Sequence, residues 1–148
     1  MNGLDNTNRG SIARASVSID APIAKVWDAL TNPQVIEQYM FGTKVISDWK
    51  KGSAITWKGE WQGRKYEDRG VILKLKPECL IQYSHFSPLS GLPDVPENYH
   101  TVTIELSNLR THTLVSLSQD NNPTEEAREH SEKMWKTLLA TLKKTLEN

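Results

Sequence analysis

The chain has 148 residues, a length that suits a single domain with one hydrophobic core. Its 18 basic and 18 acidic side chains give a formal net charge of zero, which argues against a nucleic-acid-binding protein because such proteins carry a basic excess. No apolar run approaches the roughly 20 residues of a membrane span, the polar start lacks the apolar core of a secretion signal, and the single cysteine, Cys79, is typical of the reducing cytoplasm.

The start of the chain divides into a tail and a strand. Residues 1–11 contain few apolar side chains and predict a flexible N-terminal tail, which leaves residues 12–148 as the domain. Over residues 12–19, small or apolar side chains alternate with polar ones, so every second side chain falls on the same face. This period of two predicts a β-strand.

Two short helices are predicted next. Asp20 or Ala21 is expected to cap the first helix, with Pro22 in its first turn. The run Thr31-Asn32-Pro33 breaks this helix and begins the second, which Gly42 ends.

The middle of the chain predicts six more strands, because runs with apolar alternation are separated by turn residues. They are expected at residues 43–49, 53–61, 64–76, 79–86, 100–107 and 111–119. Residues 87–99 contain three prolines and a glycine and predict a loop. The sequence leaves open whether this loop is a lid over a cavity or a surface crossover.

The end of the chain predicts one long amphipathic helix. Residues 124–148 contain neither Gly nor Pro. Apolar side chains recur there at helical spacing, at Ala127, Met134, Trp135, Leu138, Leu139, Leu142 and Leu146. Asn122 is the expected cap, with Pro123 in the first turn and Glu125 closing a capping box. One long helix after many strands predicts an α+β protein whose antiparallel sheet curves around the helix.

Five sequence tracts, in this order, carry a resemblance to a known family. They read SIDAP at 18–22 with VWDALT at 26–31, DWKKG at 48–52, GVIL at 70–73, YSHFSPLSG at 83–91 continuing through PD and PENYH to 100, and LSQDN at 117–121 before the last helix. On these tracts the chain resembles the START-like (SRPBCC) superfamily. Within it, the chain is similar to the family of homologues of the activator of heat-shock protein 90 ATPase.

The resemblance implies the helix-grip fold, in which a curved antiparallel sheet of about six to seven strands wraps round a long C-terminal helix. It also implies an elongated apolar cavity between the two, since members of the superfamily bind hydrophobic molecules there and a minority are enzymes. The eukaryotic co-chaperone that gives the family its name carries a separate N-terminal domain for chaperone contact, for which this chain has no room. No cofactor is implied.

Ten residues are candidates for contact with a ligand. On the central strands they are Trp57, Tyr66, Ile72, Tyr83 and His85, at the ends of the 87–99 loop Phe86 and Tyr99, and at the centre of the last helix Met134, Trp135 and Leu138. The alternative is ordinary core packing or, for the strand residues, the outer face of the sheet. Val71, Leu73 and Leu75 compete with Ile72 for the inward side.

No catalytic residue and no metal ligand is assigned. The four histidines lack the i, i+4 spacing of a zinc helix, and Cys79 has no partner motif. His85 and His100 flank the loop and are expected to approach each other across a strand pair. Asp68 is expected on a solvated face; if it pointed inward, it would need a partner.

Three functions follow as hypotheses. The first is binding of a small hydrophobic molecule between sheet and helix. The second is an enzyme acting on such a molecule, for which His85 and Asp68 are the titratable candidates. The third is a co-chaperone, which predicts an exposed apolar patch. A homodimer stays open, and neither nucleic acid nor a membrane is expected as a partner.

Overall fold

The computed structural model describes residues 11–147, so the predicted tail lies outside the described residues except for Ser11. Ten helices and strands follow in the order β1 (Ser11–Ile19), α1 (Ile23–Thr31), α2 (Pro33–Tyr39), β2 (Lys44–Ser47), β3 (Ala54–Trp61), β4 (Arg64–Lys76), β5 (Leu80–His85), β6 (His100–Leu109), β7 (His112–Asn122) and α3 (Glu125–Glu147). Within this range, no helix has the length and apolar content needed to cross a bilayer.

The strands form one seven-stranded sheet in the order β1-β7-β6-β5-β4-β3-β2, and every neighbouring pair is antiparallel. The chain leaves β1 at one edge and returns as β2 at the other, so α1 and α2 have to span the distance between the edges. α3 packs against β1 and β7 on the inner face. The predicted α+β helix-grip architecture is therefore confirmed.

A bulge in β4 decides which apolar side chains face inward. Ile72 is fully buried, and the register shifts by one residue immediately after it. Leu75 therefore also lies on the inner face, opposite Ile81, while Val71 and Leu73 stay 40% and 36% exposed on the outer face. An extra residue in one strand reverses which face each later side chain points to. For this reason the alternation of apolar residues alone did not show which side chains of β4 face inward.

The helix starts differ from two sequence predictions. The N-cap of α1 is Pro22, and neither Asp20 nor Ala21 caps it. At the start of α3, the Ala127 N–H donates to the Thr124 hydroxyl at 3.0 Å, so Thr124 takes the capping role predicted for Asn122. Asn122 is instead 2% exposed within β7, and its side-chain amide donates to backbone carbonyls of β1 and β7.

Side chains of α3 satisfy the outward-facing backbone groups of the edge strand β1. Three hydrogen bonds do this: the Arg14 N–H donates to Glu132 Oε2 at 3.1 Å, the Asp20 N–H donates to Glu147 Oε2 at 2.7 Å, and Lys143 Nζ donates to the Ser18 carbonyl at 2.7 Å. Unpaired groups on a sheet edge are a template for pairing with another chain. The helix therefore covers part of this edge as well as the inner face.

These edge contacts predict part of the acid sensitivity. The Asp20 N–H, and then Lys143, lower the pKa of Glu147, and the Arg14 N–H, and then Arg128, lower the pKa of Glu132. Such a contribution is present above the ordinary glutamate pKa of about 4.3 and is lost as the pH falls through the lowered value. We expect the melting temperature of the Glu132→Gln/Glu147→Gln variant to fall less steeply than that of the wild type as the pH drops below about 4.3.

The measurement is the melting temperature as a function of pH. Glu126→Gln, at an exposed position in the first turn of the same helix, is the control and should follow the wild-type slope. Parallel slopes for wild type and the double variant would contradict the assignment of acid sensitivity to this edge.

Candidate ligand-binding site

A small apolar cavity remains between α3 and the inner face of the sheet, with a volume of about 40 Å³. Every lining side chain is aliphatic or aromatic: Leu30, Ile36, Tyr39, Met40, Val45, Trp49, Ile55, Trp57, Ile81, Tyr83, Ile104, Leu117, Trp135, Leu138, Leu139 and Leu142. A water needs roughly 10–15 Å³ of such space, and an apolar cavity of about 150 Å³ holds benzene. The cavity is therefore too small for a typical ligand unless its wall moves.

One part of the wall is less buried than the rest. Met40, Trp49 and Leu138 pack against the core but are only partly buried. The backbone here is also unusual, because Trp49 and Phe41, next to Met40, have φ values of +56° and +57°. Bulky residues rarely adopt this left-handed conformation, so the backbone is conformationally restricted on both sides of β2.

Tyrosines in the cavity wall are neutral. Burial raises the pKa of Tyr83, and burial and then the nearby Tyr83 raise the pKa of Tyr39. The Tyr39 hydroxyl donates to the Ala29 carbonyl at 3.0 Å, which ties the wall to α1. The cavity surface therefore carries no charge at physiological pH.

A row of aromatic rings continues from the cavity along the inner face. The ring centroid of Trp57 lies 5.0 Å from the ring centroid of Tyr83 and 5.0 Å from that of His85. The planes of the Trp57 and His85 rings are 67° apart, so these two rings meet edge to face. His85 and His100 are direct cross-strand partners with centroids 6.3 Å apart, so the predicted approach of these two histidines is confirmed. The His100 Nδ1 is within 2.9 Å of the Asp120 carbonyl.

Asp68 joins this row, and the prediction that it faces solvent is wrong. It lies opposite Trp57 in the β3–β4 register, and residues directly opposite each other share a face. Its side chain is 16% exposed, and its Oδ2 is 2.9 Å from His85 Nε2. The run of three charged residues suggested a solvated strand face. Glu67 and Arg69 do point outward, but Asp68 lies between them in the strand and therefore points inward.

Gly70 lies beside the Asp68–His85 pair, where β4 and β5 approach each other closely. The pairs Ile72–Tyr83 and Arg69–Phe86 place Gly70 opposite His85. A Cβ atom at position 70 would lie 1.7 Å from the Ser84 carbonyl oxygen, so the two strands approach too closely for any side chain. The inner face of β4 therefore carries no side chain between Asp68 and Ile72, at the position opposite His85.

The ten candidate residues divide between the cavity and other places. Trp57, Tyr83, Trp135 and Leu138 line the cavity, His85 contacts its Trp57 wall, and Ile72 is fully buried core. Tyr66 lies beyond Trp57, with its ring over Gly59 and its hydroxyl 2.5 Å from the Thr43 hydroxyl.

The three other candidates lie on outward-facing sides of the helix or the sheet. Met134 is 46% exposed on the solvent side of α3. Phe86 and Tyr99 stack on each other with centroids 5.2 Å apart. Phe86 follows His85 and Tyr99 precedes His100. Since both histidines face inward, Phe86 and Tyr99 lie on the outer face of the sheet.

The 87–99 loop is held on that outer face. Asp94 accepts from the Tyr99 hydroxyl at 2.6 Å and pairs with Arg69 Nη1 at 3.2 Å. The alternative of a surface crossover therefore describes this loop, and the lid over the cavity mouth is contradicted.

Several wall residues were not foreseen from the sequence. Tyr39, Met40 and Trp49 precede or follow the short edge strand β2, where the apolar pattern is too brief to show which side chains face inward. Trp49 belongs to a tract that carries the family resemblance. A tryptophan beside two lysines in a turn was the one signal that could have marked it as a cavity residue.

A metal centre is not indicated in the described part of the chain, which contains no group of three or more His, Cys, Asp or Glu side chains placed to hold an ion. Cys79 is exposed and forms no disulfide.

Comparison with known proteins identifies the family. A family model described as Activator of Hsp90 ATPase homolog 1-like protein matches residues 20–147. The chain belongs to this family. None of the curated proteins matches the sequence.

Solved structures agree with this membership. The solution structure of ChR145 from Cytophaga hutchinsonii has 58% sequence identity and a TM-score of 0.83, covering 93% of this chain and 94% of that one. The Aha1 dimer from Colwellia psychrerythraea has 21% identity and a TM-score of 0.73, covering 93% and 96%. CalU16 from Micromonospora echinospora has 21% identity and a TM-score of 0.69, covering 92% and 83%. The last two likenesses show the fold alone.

Proposed function

We propose that this protein binds a small hydrophobic molecule in the cavity between the sheet and α3. The observation that carries the proposal is a largely apolar, aromatic-rich space left between α3 and the packed inner face of the sheet. Close packing is the rule in protein interiors, so a retained hollow next to half-buried wall residues is a place where the structure can open.

Binding requires the wall to move outward. Met40, Trp49 and Leu138 are the side chains whose displacement enlarges the cavity without disturbing the sheet, because all three lie on helices or loops. The left-handed conformation of Trp49 gives this segment a strained arrangement that a second arrangement can relieve. Affinity then comes from the apolar surface that the ligand buries, at roughly 25 cal/mol per Å².

The first test is native mass spectrometry of freshly purified protein, scored for small molecules that copurify. The second fills the cavity: Leu138→Phe is expected to weaken binding of the apolar dye 8-anilinonaphthalene-1-sulfonate about tenfold, a loss of roughly 1.4 kcal/mol. Leu73→Phe makes the same exchange on the outer face and is the control. Equal dye affinity in both variants, together with no copurifying molecule, would rule out the cavity as a binding site.

Contact with other proteins is a second candidate function, favoured by three exposed side chains near the β2 edge. Phe41 and Trp61 are each 63% exposed and Ile46 is 56% exposed. Such side chains suit either a heat-shock protein 90 homologue or a second copy of this chain. Pull-down with that chaperone and sedimentation of the purified protein separate the two, and a Phe41→Ser/Trp61→Ser variant should lose whichever association is found.

The proposed setting is the cytoplasm. Cys79 is exposed and unpaired, which fits a reducing compartment. Fractionation of cells that produce the tagged protein tests this location.

A further inference from the structure

We propose that Asp68 and His85 form a polar end to the cavity and hold the hydroxyl group of an aromatic ligand. The proposal rests on the ligand-binding function above and names the ligand class. It begins with the pair itself: His85 Nε2 lies 2.9 Å from Asp68 Oδ2, and the two side chains are 28% and 16% exposed. A carboxylate only accepts, so the His85 Nε2–H donates and fixes the position of Asp68.

The second oxygen of Asp68 is the decisive observation. Among residues 11–147, Oδ1 of Asp68 is the buried side-chain polar atom without a hydrogen-bond partner. Buried carboxylate oxygens are normally satisfied, and an exception calls for an explanation such as a missing donor. This oxygen is closed to solvent although 16% of the Asp68 side chain is exposed, and its missing donor is assigned to a ligand bound inside the protein.

The cavity supplies the route. Trp57 lines the cavity and is the cross-strand partner of Asp68. The same Trp57 ring meets His85 edge-on. Asp68 and His85 lie next to Trp57 but outside the cavity lining, so a ligand reaches the pair when the opened cavity extends past the Trp57 ring.

The surroundings select the chemistry of the ligand. The rings of Trp57, Tyr83 and His85 favour a flat aromatic partner, which stacks or meets edges at such distances. Asp68 Oδ1 needs a donor, so an ether or a carbonyl oxygen cannot serve. An ammonium group brings three donors to a site that offers one unpaired acceptor, whereas a hydroxyl brings one donor. A phenol matches both features.

The test uses two probes that differ at one group, 7-hydroxycoumarin and 7-methoxycoumarin, titrated calorimetrically at mildly acidic pH where the hydroxyl is protonated. We expect the wild type to bind the hydroxyl probe about tenfold tighter. In Asp68→Leu the two affinities should become equal. Glu67→Leu, an exposed neighbour on the outer face of β4, should keep the wild-type ratio.

A second measurement does not depend on the folding of a variant. The ¹³C resonance of the Asp68 side-chain carboxyl in the wild type should shift with 7-hydroxycoumarin and not with 7-methoxycoumarin. If both probes bind and Leu138→Phe weakens both, but neither the affinity ratio nor the carboxyl resonance distinguishes them, the proposed ligand class is wrong and the cavity function stands. If neither coumarin binds, the proposed ligand class is wrong, and if the dye also fails to bind, both proposals fail.

Discussion

Gly70→Ala is expected to lower the free energy of unfolding by about 3 kcal/mol or more, because overpacking against backbone has no cheap relief. The added Cβ would lie 1.7 Å from the Ser84 carbonyl oxygen and 2.6 Å from its carbon. Relief requires β4 and β5 to separate, which strains the flanking Arg69–Phe86 backbone hydrogen bonds of 3.0 and 2.8 Å. Urea unfolding followed by circular dichroism measures the loss.

Gly59→Ala is the matched comparison for this effect. Its Cβ would meet the Tyr66 hydroxyl at 2.4 Å, and that atom is the far end of a side chain that can rotate. The expected loss is about 1 kcal/mol, mainly from the Thr43–Tyr66 hydrogen bond. Similar losses at positions 59 and 70 would show that the close approach of β4 and β5 is not what requires a glycine.

Leu139→Ala is expected to have opposite effects on stability and on binding. Leu139 is 2% exposed and lines the cavity. Removing its side chain should lower the free energy of unfolding by about 3 kcal/mol, within the usual range for a buried leucine. The same change enlarges the cavity toward the roughly 150 Å³ that holds a benzene ring, so the dye and coumarin affinities should rise.

Met134→Ala controls for the change in helix and side-chain size. Met134 is 46% exposed on the same helix, and leucine and methionine have similar helix propensity. Its substitution should change the free energy of unfolding by no more than about 0.5 kcal/mol. Equal losses for the two variants would contradict the observed orientation of α3, and a stability loss without a gain in affinity would count against the cavity as the binding site.

The alternation and turn residues of the sequence were sufficient for the architecture. Seven strands and the long helix were predicted in the right order, because each strand has a period of two and each break has a turn residue. The prediction was less accurate for the residues that cap the helices. Thr124 caps α3 while Asn122 lies in β7, since a cap and a buried amide have the same local sequence signature.

The candidate site was predicted only in part. Trp57, Tyr83 and Trp135 were candidates for ligand contact and do line the cavity, but for the two strand residues the sequence had left the outer face of the sheet as an alternative. Phe86 and Tyr99 were assigned to the ligand because they flank a loop, but each lies one residue from an inward histidine and therefore on the other face. Met40 and Trp49 lie in turn segments, which have positive φ values at Phe41 and Trp49. No periodic pattern of apolar residues in these segments showed that the two side chains face inward.

The sequence by itself determined the order of the strands and helices, because these elements depend on spacings within one stretch of chain. Only the tertiary structure decided that Asp68 meets His85. That contact depends on the register between β3, β4 and β5, which arises between strands and cannot be found from either strand alone. The size of the cavity was likewise decided by how α3 packs on the sheet, since packing depends on shapes from every element at once.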